Sequence, residues 1–372
     1  MMDSQVNFST LHTASGRVFK LATLNVPSRL NPLSLEMIDL LAPQLAAWAQ
    51  DEQVVGVILN ASGEKAFCAG GDVLDLYRSI RSTRSGEVPV RAASFFEREY
   101  RLNHHIHRYP KPILCWGHGA VMGGGIGLMV GASHRVVTPT SRLAMPEIRI
   151  GLFPDVGGSW FLPRLPGKAG LFLALTGAQL NSSDACFLGM ADYALPEGRL
   201  STVLDQIVAE AWQGEPESDS ARLSHLLEKY VEIDMPQSTM ALHLARIDKV
   251  IGRDTISDIA PRLAALARDE DACLAQAGVN FVKGSPTSAV VAFEMQRRCR
   301  HLSLGEVFQL EYQAAVGCAT HPDLVEGIRA LLVDKDRHPR WQASSLDEVT
   351  FDQIEAQLAP RFRGQHPLAD LT

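Results

Sequence analysis

Two glycine-rich stretches have the spacing to do chemistry. The first is Lys65-Ala66-Phe67-Cys68-Ala69-Gly70-Gly71-Asp72 and the second is Met122-Gly123-Gly124-Gly125-Ile126-Gly127. Paired glycines let a backbone approach a ligand closely, and amides near a helix start are ready donors to a negatively charged oxygen. A glycine run also serves tight helix–strand packing, so either stretch alone carries little. Together they suggest a two-donor oxyanion hole, which stabilises a thioester carbonyl oxygen as it gains charge. The second stretch is no dinucleotide fingerprint, because the sixth residue counted from Gly117 or Gly125 is Met122 or Val130. It is no phosphate-binding P-loop either, since no Lys-Ser/Thr pair follows it.

Around these loops the sequence alternates strand and helix signals. The stretches from Val18 to Val26 and from Val54 to Asn60 predict strands, and the amphipathic stretch from Ser34 to Gln50 between them predicts a helix. Pro112 to Trp116 reads as a further buried strand, with shorter ones at Arg135 to Val137 and Arg142 to Ala144. Helices are expected from near Asp72 and from Ser94 to His107. Beyond about Pro196 strand signals nearly vanish. Helical periodicity takes over at Ser201 to Trp212, Ser224 to Val231, Met240 to Ile251 and Ile256 to Ala277; Ser285-Pro286-Thr287-Ser288 then begins a further capped helix, followed by Leu304 to Cys318 and His321 to Asp334. The pattern predicts an α/β catalytic region over residues 1–200 and a mainly helical region over residues 201–372.

Composition excludes several classes of function. The 372 residues are 46% hydrophobic and 21% charged, enough to bury a full core. With 35 basic against 42 acidic residues the formal net charge is -7, so no global basic field draws in nucleic acid or an acidic membrane. No apolar run approaches the roughly 20 residues of a membrane helix, and the polar segment from Met1 to Thr10 lacks the pattern of a signal peptide. A cytoplasmic location is expected. Six cysteines without a CxxC pair, several in apolar runs such as Ile113-Leu114-Cys115-Trp116, read as reduced structural thiols. His104, His105 and His107 lack metal-ligand spacing beside carboxylates and read as a solvated helix face, so no metal is expected.

The two loops, with Leu24-Asn25-Val26-Pro27-Ser28-Arg29-Leu30-Asn31 before them, resemble the crotonase (enoyl-CoA hydratase/isomerase) superfamily pattern. That pattern is a strand ending Leu-Asn-x-Pro, an Ala-Gly-x-Asp loop, and Gly-Gly-Gly. The resemblance implies an α/β fold, a crotonase-like spiral of ββα units, here with a helical C-terminal region, commonly assembled into homo-oligomers built from trimers. It implies an acyl-CoA substrate, with coenzyme A a part of the substrate and no separate cofactor. It also implies that the backbone amides of Gly71 and Gly124 are the oxyanion donors, and that segments around Arg29, Leu30, Ala69 and Asp72 line the coenzyme A moiety. Superfamily hydratases carry one glutamate just after the Gly-Gly-Gly run and a second further along; here the first position is Gly127 and the second is Glu147. The missing carboxylate argues against water addition to an enoyl double bond. The stretch from Gly151 to Leu165, with Pro154-Asp155-Val156-Gly157-Gly158 at its heart, is similar to that of the superfamily's 3-hydroxyisobutyryl-CoA hydrolases. Phe95-Phe96-Glu97-Arg98-Glu99-Tyr100 and Glu326-Gly327-Ile328-Arg329-Ala330 with Pro339-x-Trp341 agree, which extends the resemblance over nearly the whole chain. It implies hydrolysis of a short-chain 3-hydroxyacyl-CoA thioester in valine degradation.

Thioester hydrolysis demands an oxyanion hole, a nucleophile and only modest help for a leaving thiolate, whose acid has a pKa of about 8.5. Glu147 is assigned as the carboxylate that acts, either as nucleophile through a mixed anhydride or as general base on water; the plain alternative is a turn cap. Asp155 is expected to bind the substrate 3-hydroxyl, the alternative being a helix N-cap ahead of Gly157. Glu99 receives a substrate-binding role from the resemblance, against a solvated helix carboxylate. Arg329 and Lys335 are candidates for coenzyme A phosphates, against a solvent-facing reading. Two other functions fit less well: an enoyl-CoA hydratase or isomerase, and a non-catalytic acyl-CoA binding protein.

Overall fold

The computed structural model describes residues 4–84, 86–231 and 234–371. Strands β1 (Val6–His12) and β2 (Val18–Leu24) form an antiparallel hairpin, and β3 (Val54–Ala61) joins β2 in parallel with an irregularity between Val18 and Phe19. The remaining strands are β4 (Ala66–Cys68), β5 (Ile113–Gly117), β6 (Ala120–Met122), β7 (His134–Val137), β8 (Arg142–Ala144) and β9 (Tyr193–Ala194). Two sheets result, one ordered β1-β2-β3-β5-β7-β9 and parallel beyond the hairpin, the other ordered β4-β6-β8. The continuous burial of β5 suits a parallel strand covered on both faces. One side of the larger sheet presents Phe19, Ile58, Leu114, Trp116 and Val136 to Ile207, Trp212, Leu223 and Leu227. Phe19 meets Trp212 edge-on at 4.6 Å between centroids.

Four early helices position the loops: α1 (Leu35–Gln50), α2 (Val73–Ser82), α3 (Val90–His107) and α4 (Gly124–Val130). Ser34 caps α1 by accepting the Met37 amide at 3.1 Å. Beyond Ala194 no strand occurs among the described residues. The chain condenses into two compact units that interleave along the sequence. One gathers the chain up to Gly71, His105–Leu143 and Leu180–Thr239; the other gathers Asp72–His104, Ala144–Gln179 and the chain from Met240 onward.

Several elements differ from expectation. The stretch from Gly117 to Gly127 hides β6, and the helix expected from Ile256 to Ala277 is broken into Ile256–Ala265, a 3-10 turn at Leu266–Arg268, and Ala272–Lys283. The break has a cause: Asp271 accepts the Cys273 and Leu274 amides, each at 3.0 Å, and so starts a new helix. The helix expected from Ser224 begins earlier, at Pro216. The three histidines are half-buried rather than solvated, with His104 edge-on to Phe308. None of the six cysteines forms a disulfide, but Cys273 is exposed. Among the described residues no helix is long and apolar enough to cross a membrane.

Candidate active site

The glycine loops are placed by strand pairing. β4 and β6 run parallel, matching Ala66 with Ala120 and Cys68 with Val121, so both loops leave the same end of adjacent strands. A Cβ at Gly125 would collide with the Cys68 carbonyl oxygen, so this close approach of α4 to β4 requires glycine. Gly124 is the first residue of α4, where an amide has no acceptor within the helix. The first loop is tied to the Arg29–Leu30 turn: the Ala69 amide donates to the Leu30 carbonyl at 3.0 Å, and the Leu33 amide donates to Gly70 at 2.8 Å. Leu30 and Asn31 both hold positive φ, at 64° and 52°. The buried Asn31 side chain fixes them, accepting the Val26 amide at 2.8 Å and donating to the Ser62 and Ala66 carbonyls at 3.0 Å. A surface cavity of about 580 Å³ opens beside this turn, lined in part by Leu30, Gly63 and Lys65. Arg29, Leu30, Ala69, Gly71 and Gly124 therefore share one unit. Asp72 is the N-cap residue of α2, although its side chain makes no cap bond.

The acid groups gather in the other unit. Glu99 comes from α3, Glu147 from the 3-10 turn Glu147–Arg149, Asp155 from the loop after it, and Glu311 from the helix Leu304–Thr320. Their exposures are 2%, 5%, 5% and 0%, so none is a solvated surface charge. The Tyr100 hydroxyl donates to Asp155 Oδ2 at 2.6 Å. Glu311 accepts two backbone amides at 2.8 Å, Gly157 on Oε2 and Ser159 on Oε1. Glu147 Oε2 has no hydrogen-bond partner among the described residues. Burial raises the carboxyl of Glu147 well above its ordinary value, and the nearby Asp155 charge adds to it. Glu99 rises for the same reason, reinforced by Asp155, Glu147 and Glu311. Burial lifts Asp155 to about 6 against the restraining Tyr100 hydrogen bond. Glu311 is pushed to about 8 by burial and by Asp155, against its two amide donors.

This geometry disposes of the plainer readings. The 3-10 turn that Glu147 opens has Pro146 as its N-cap and no side-chain cap bond, and Glu147 Oε2 is left without a partner among the described residues. The N-cap of the short helix Gly158–Phe161 is Gly157, at φ 87°, and not Asp155. Glu99 is in the core. Arg329 is committed to Glu326, Asp334 and Asp336 at 2.6–2.7 Å, which leaves it no free face for a phosphate, while Lys335 is exposed. Two residues of the cluster went unread in the sequence: Tyr100, next to Glu99, and Glu311. Glu311 had a signal, since it occupies the apolar stripe of Val307, Phe308, Ala314, Ala315 and Cys318 on its helix.

A family model described as enoyl-CoA hydratase/isomerase matches residues 19–358. The mitochondrial 3-hydroxyisobutyryl-CoA hydrolase of Gallus gallus is 36% identical over 341 residues, covering 91% of this chain and 86% of the relative. Its Homo sapiens counterpart is 36% identical, covering 89% of this chain and 84% of the relative. Among solved structures, a carnitinyl-CoA dehydratase from Mycobacterium thermoresistibile superposes with a TM-score of 0.84 at 35% identity, over 96% of this chain and 97% of that one. An enoyl-CoA hydratase from Rhodobacter sphaeroides gives 0.80 at 32% identity, over 96% and 98%. The glycine loops, the carboxylates that follow them and a match spanning both compact units lead to one assignment: the chain belongs to the enoyl-CoA hydratase/isomerase (crotonase) family.

Proposed function

We propose that the protein hydrolyses 3-hydroxyisobutyryl-CoA to 3-hydroxyisobutyrate and coenzyme A. The observation that carries this is the state of the acid groups. Glu147 is buried with an unpartnered oxygen, while the position that bears the first carboxylate of hydratases is Gly127, buried in α4. In our reading the amides of Gly71 and Gly124 receive the thioester oxygen as it gains negative charge. Glu147 either attacks the carbonyl carbon, giving a mixed anhydride that water then opens, or removes a proton from the attacking water. In both routes the carbon–sulfur bond breaks and the coenzyme A thiolate leaves. Asp155, oriented by Tyr100, binds the 3-hydroxyl; Glu99 contacts the acyl group; Arg29, Leu30, Ala69 and Asp72 line the coenzyme A moiety. The substrate brings its own coenzyme A, and no step calls for a further cofactor.

The same reading places the enzyme in valine degradation. A cytoplasmic location is part of the proposal, and the family resemblance adds homo-oligomeric assembly to it; the relatives carrying the hydrolase name are mitochondrial. A panel of acyl-CoA thioesters monitored for free thiol tests the reaction. Catalytic thiol release from 3-hydroxyisobutyryl-CoA, and from 3-hydroxypropionyl-CoA to a lesser degree, is expected. Brisk hydration of crotonyl-CoA with no thiol from either hydroxyacyl thioester would replace the hydrolase reading with a hydratase. Tight acyl-CoA binding without any turnover would leave a binding protein.

A further inference from the structure

Glu311 is the one member of the acid cluster that the proposed chemistry leaves without a task. It is fully buried, yet packing does not require a carboxylate there, since Val307, Phe308, Ala314, Ala315 and Cys318 fill the rest of that helix face. Burying a carboxylate is costly, and the nearby Asp155 adds to that cost. What it gains is two hydrogen bonds, from the Gly157 and Ser159 amides. Those amides belong to a strained turn: Val156 holds φ 51°, a conformation β-branched residues rarely adopt, and Gly157 follows at φ 87°. Strain of this kind persists only where the surroundings over-determine it. The turn begins at Asp155, whose carbonyl accepts the Gly158 amide at 2.6 Å and whose carboxylate accepts Tyr100 at 2.6 Å.

We infer that Glu311 is a positioning residue, whose carboxylate clamps the Gly157 and Ser159 amides and so holds the Asp155 side chain in the geometry that recognises the substrate hydroxyl. The inference rests on the reading of Asp155 given above. It assigns the C-terminal helical region a direct part in specificity, exerted through backbone donors.

Glu311→Gln keeps the volume but sets an amide NH2 against one of the two backbone donors. The test is a double-mutant cycle with Asp155→Asn, reading kcat/KM for 3-hydroxyisobutyryl-CoA and isobutyryl-CoA by thiol release, normalised to folded protein. Glu311→Gln alone is expected to lower the preference for the hydroxylated thioester roughly tenfold, the size expected of coupled neighbours, and to change little in the Asp155→Asn background. Equal losses on both thioesters, repeated unchanged in the Asp155→Asn background, would make Glu311 a packing residue and overturn the inference. If Asp155→Asn alone keeps the full hydroxyl preference, the Asp155 reading fails instead; whether the two substitutions are additive in kcat then decides the clamp by itself. Should Glu311→Gln not fold, Glu311→Asp, which keeps the charge and shortens the reach, takes its place in the cycle, and the same two patterns support or overturn the clamp.

Discussion

Glu147 and Asp155 are equally buried, but their partners divide the work between them. Asp155 spends a lone pair on Tyr100, whereas Glu147 keeps Oε2 unengaged among the described residues and available to a proton or an acyl carbon. Glu147→Gln preserves shape and removes that capacity, so kcat should fall by about 10²–10⁴-fold while acyl-CoA binding measured by calorimetry stays within a few fold. A variant retaining most of its turnover would take Glu147 out of the chemical step. Asp155→Asn should lose discrimination between 3-hydroxyisobutyryl-CoA and isobutyryl-CoA, because a site built to bond a hydroxyl rejects the bare analogue through polar groups left unpaired. An unchanged preference would release Asp155 from that role. Both residues were legible because they sit in local motifs that need no partner to be noticed. Glu311 was not, for its meaning lies in amides 152 and 154 residues away. Periodicity marks it as a charge in an apolar stripe and says nothing of what it holds.

Among the elements, α4 does the most with the least sequence. Its first residue, Gly124, is at a position where proline is tolerated, because the amide it removes has no acceptor within the helix. Gly124→Pro should therefore keep its far-UV dichroism while kcat drops about 10²–10³-fold from loss of one oxyanion donor. Normal turnover in a folded variant would remove Gly124 from the mechanism. The longer strands and the capped helices announced themselves through β-branched runs and Ser34 or Ser285 caps. β6, at three residues, is too short to produce alternation, and its flanking glycines read as loop. The break after Arg268 was equally hidden, since leucines and alanines flank it on both sides and the Asp271 cap that starts the next helix lies within a short acidic run.

On the scale of the whole molecule, the acid cluster contributes to how stability depends on pH. A carboxyl whose folded pKa is raised holds its proton more tightly in the folded chain than in the unfolded one. Its contribution to stability is therefore fully present below the unfolded pKa and is lost as pH rises through the folded one. For Asp155 that window runs from its ordinary 3.8 to about 6, and for Glu311 from 4.5 to about 8. Relative to wild type, Asp155→Asn should thus gain stability between pH 4 and pH 7, by up to about 3 kcal/mol if the shift is fully expressed. Thermal melts of both proteins across that range check it, and a difference that stays constant with pH would show that Asp155 ionises as easily in the fold as out of it. The interleaving of the two units bears on synthesis as well. The turn at Asp155 leaves the ribosome long before Glu311 is made, and at roughly 5–20 residues per second the gap amounts to about 8–30 seconds. Throughout that interval the Gly157 and Ser159 amides lack the carboxylate that accepts them in the finished chain. The strained turn at Val156 and Gly157 is thus made well before the clamp that holds it.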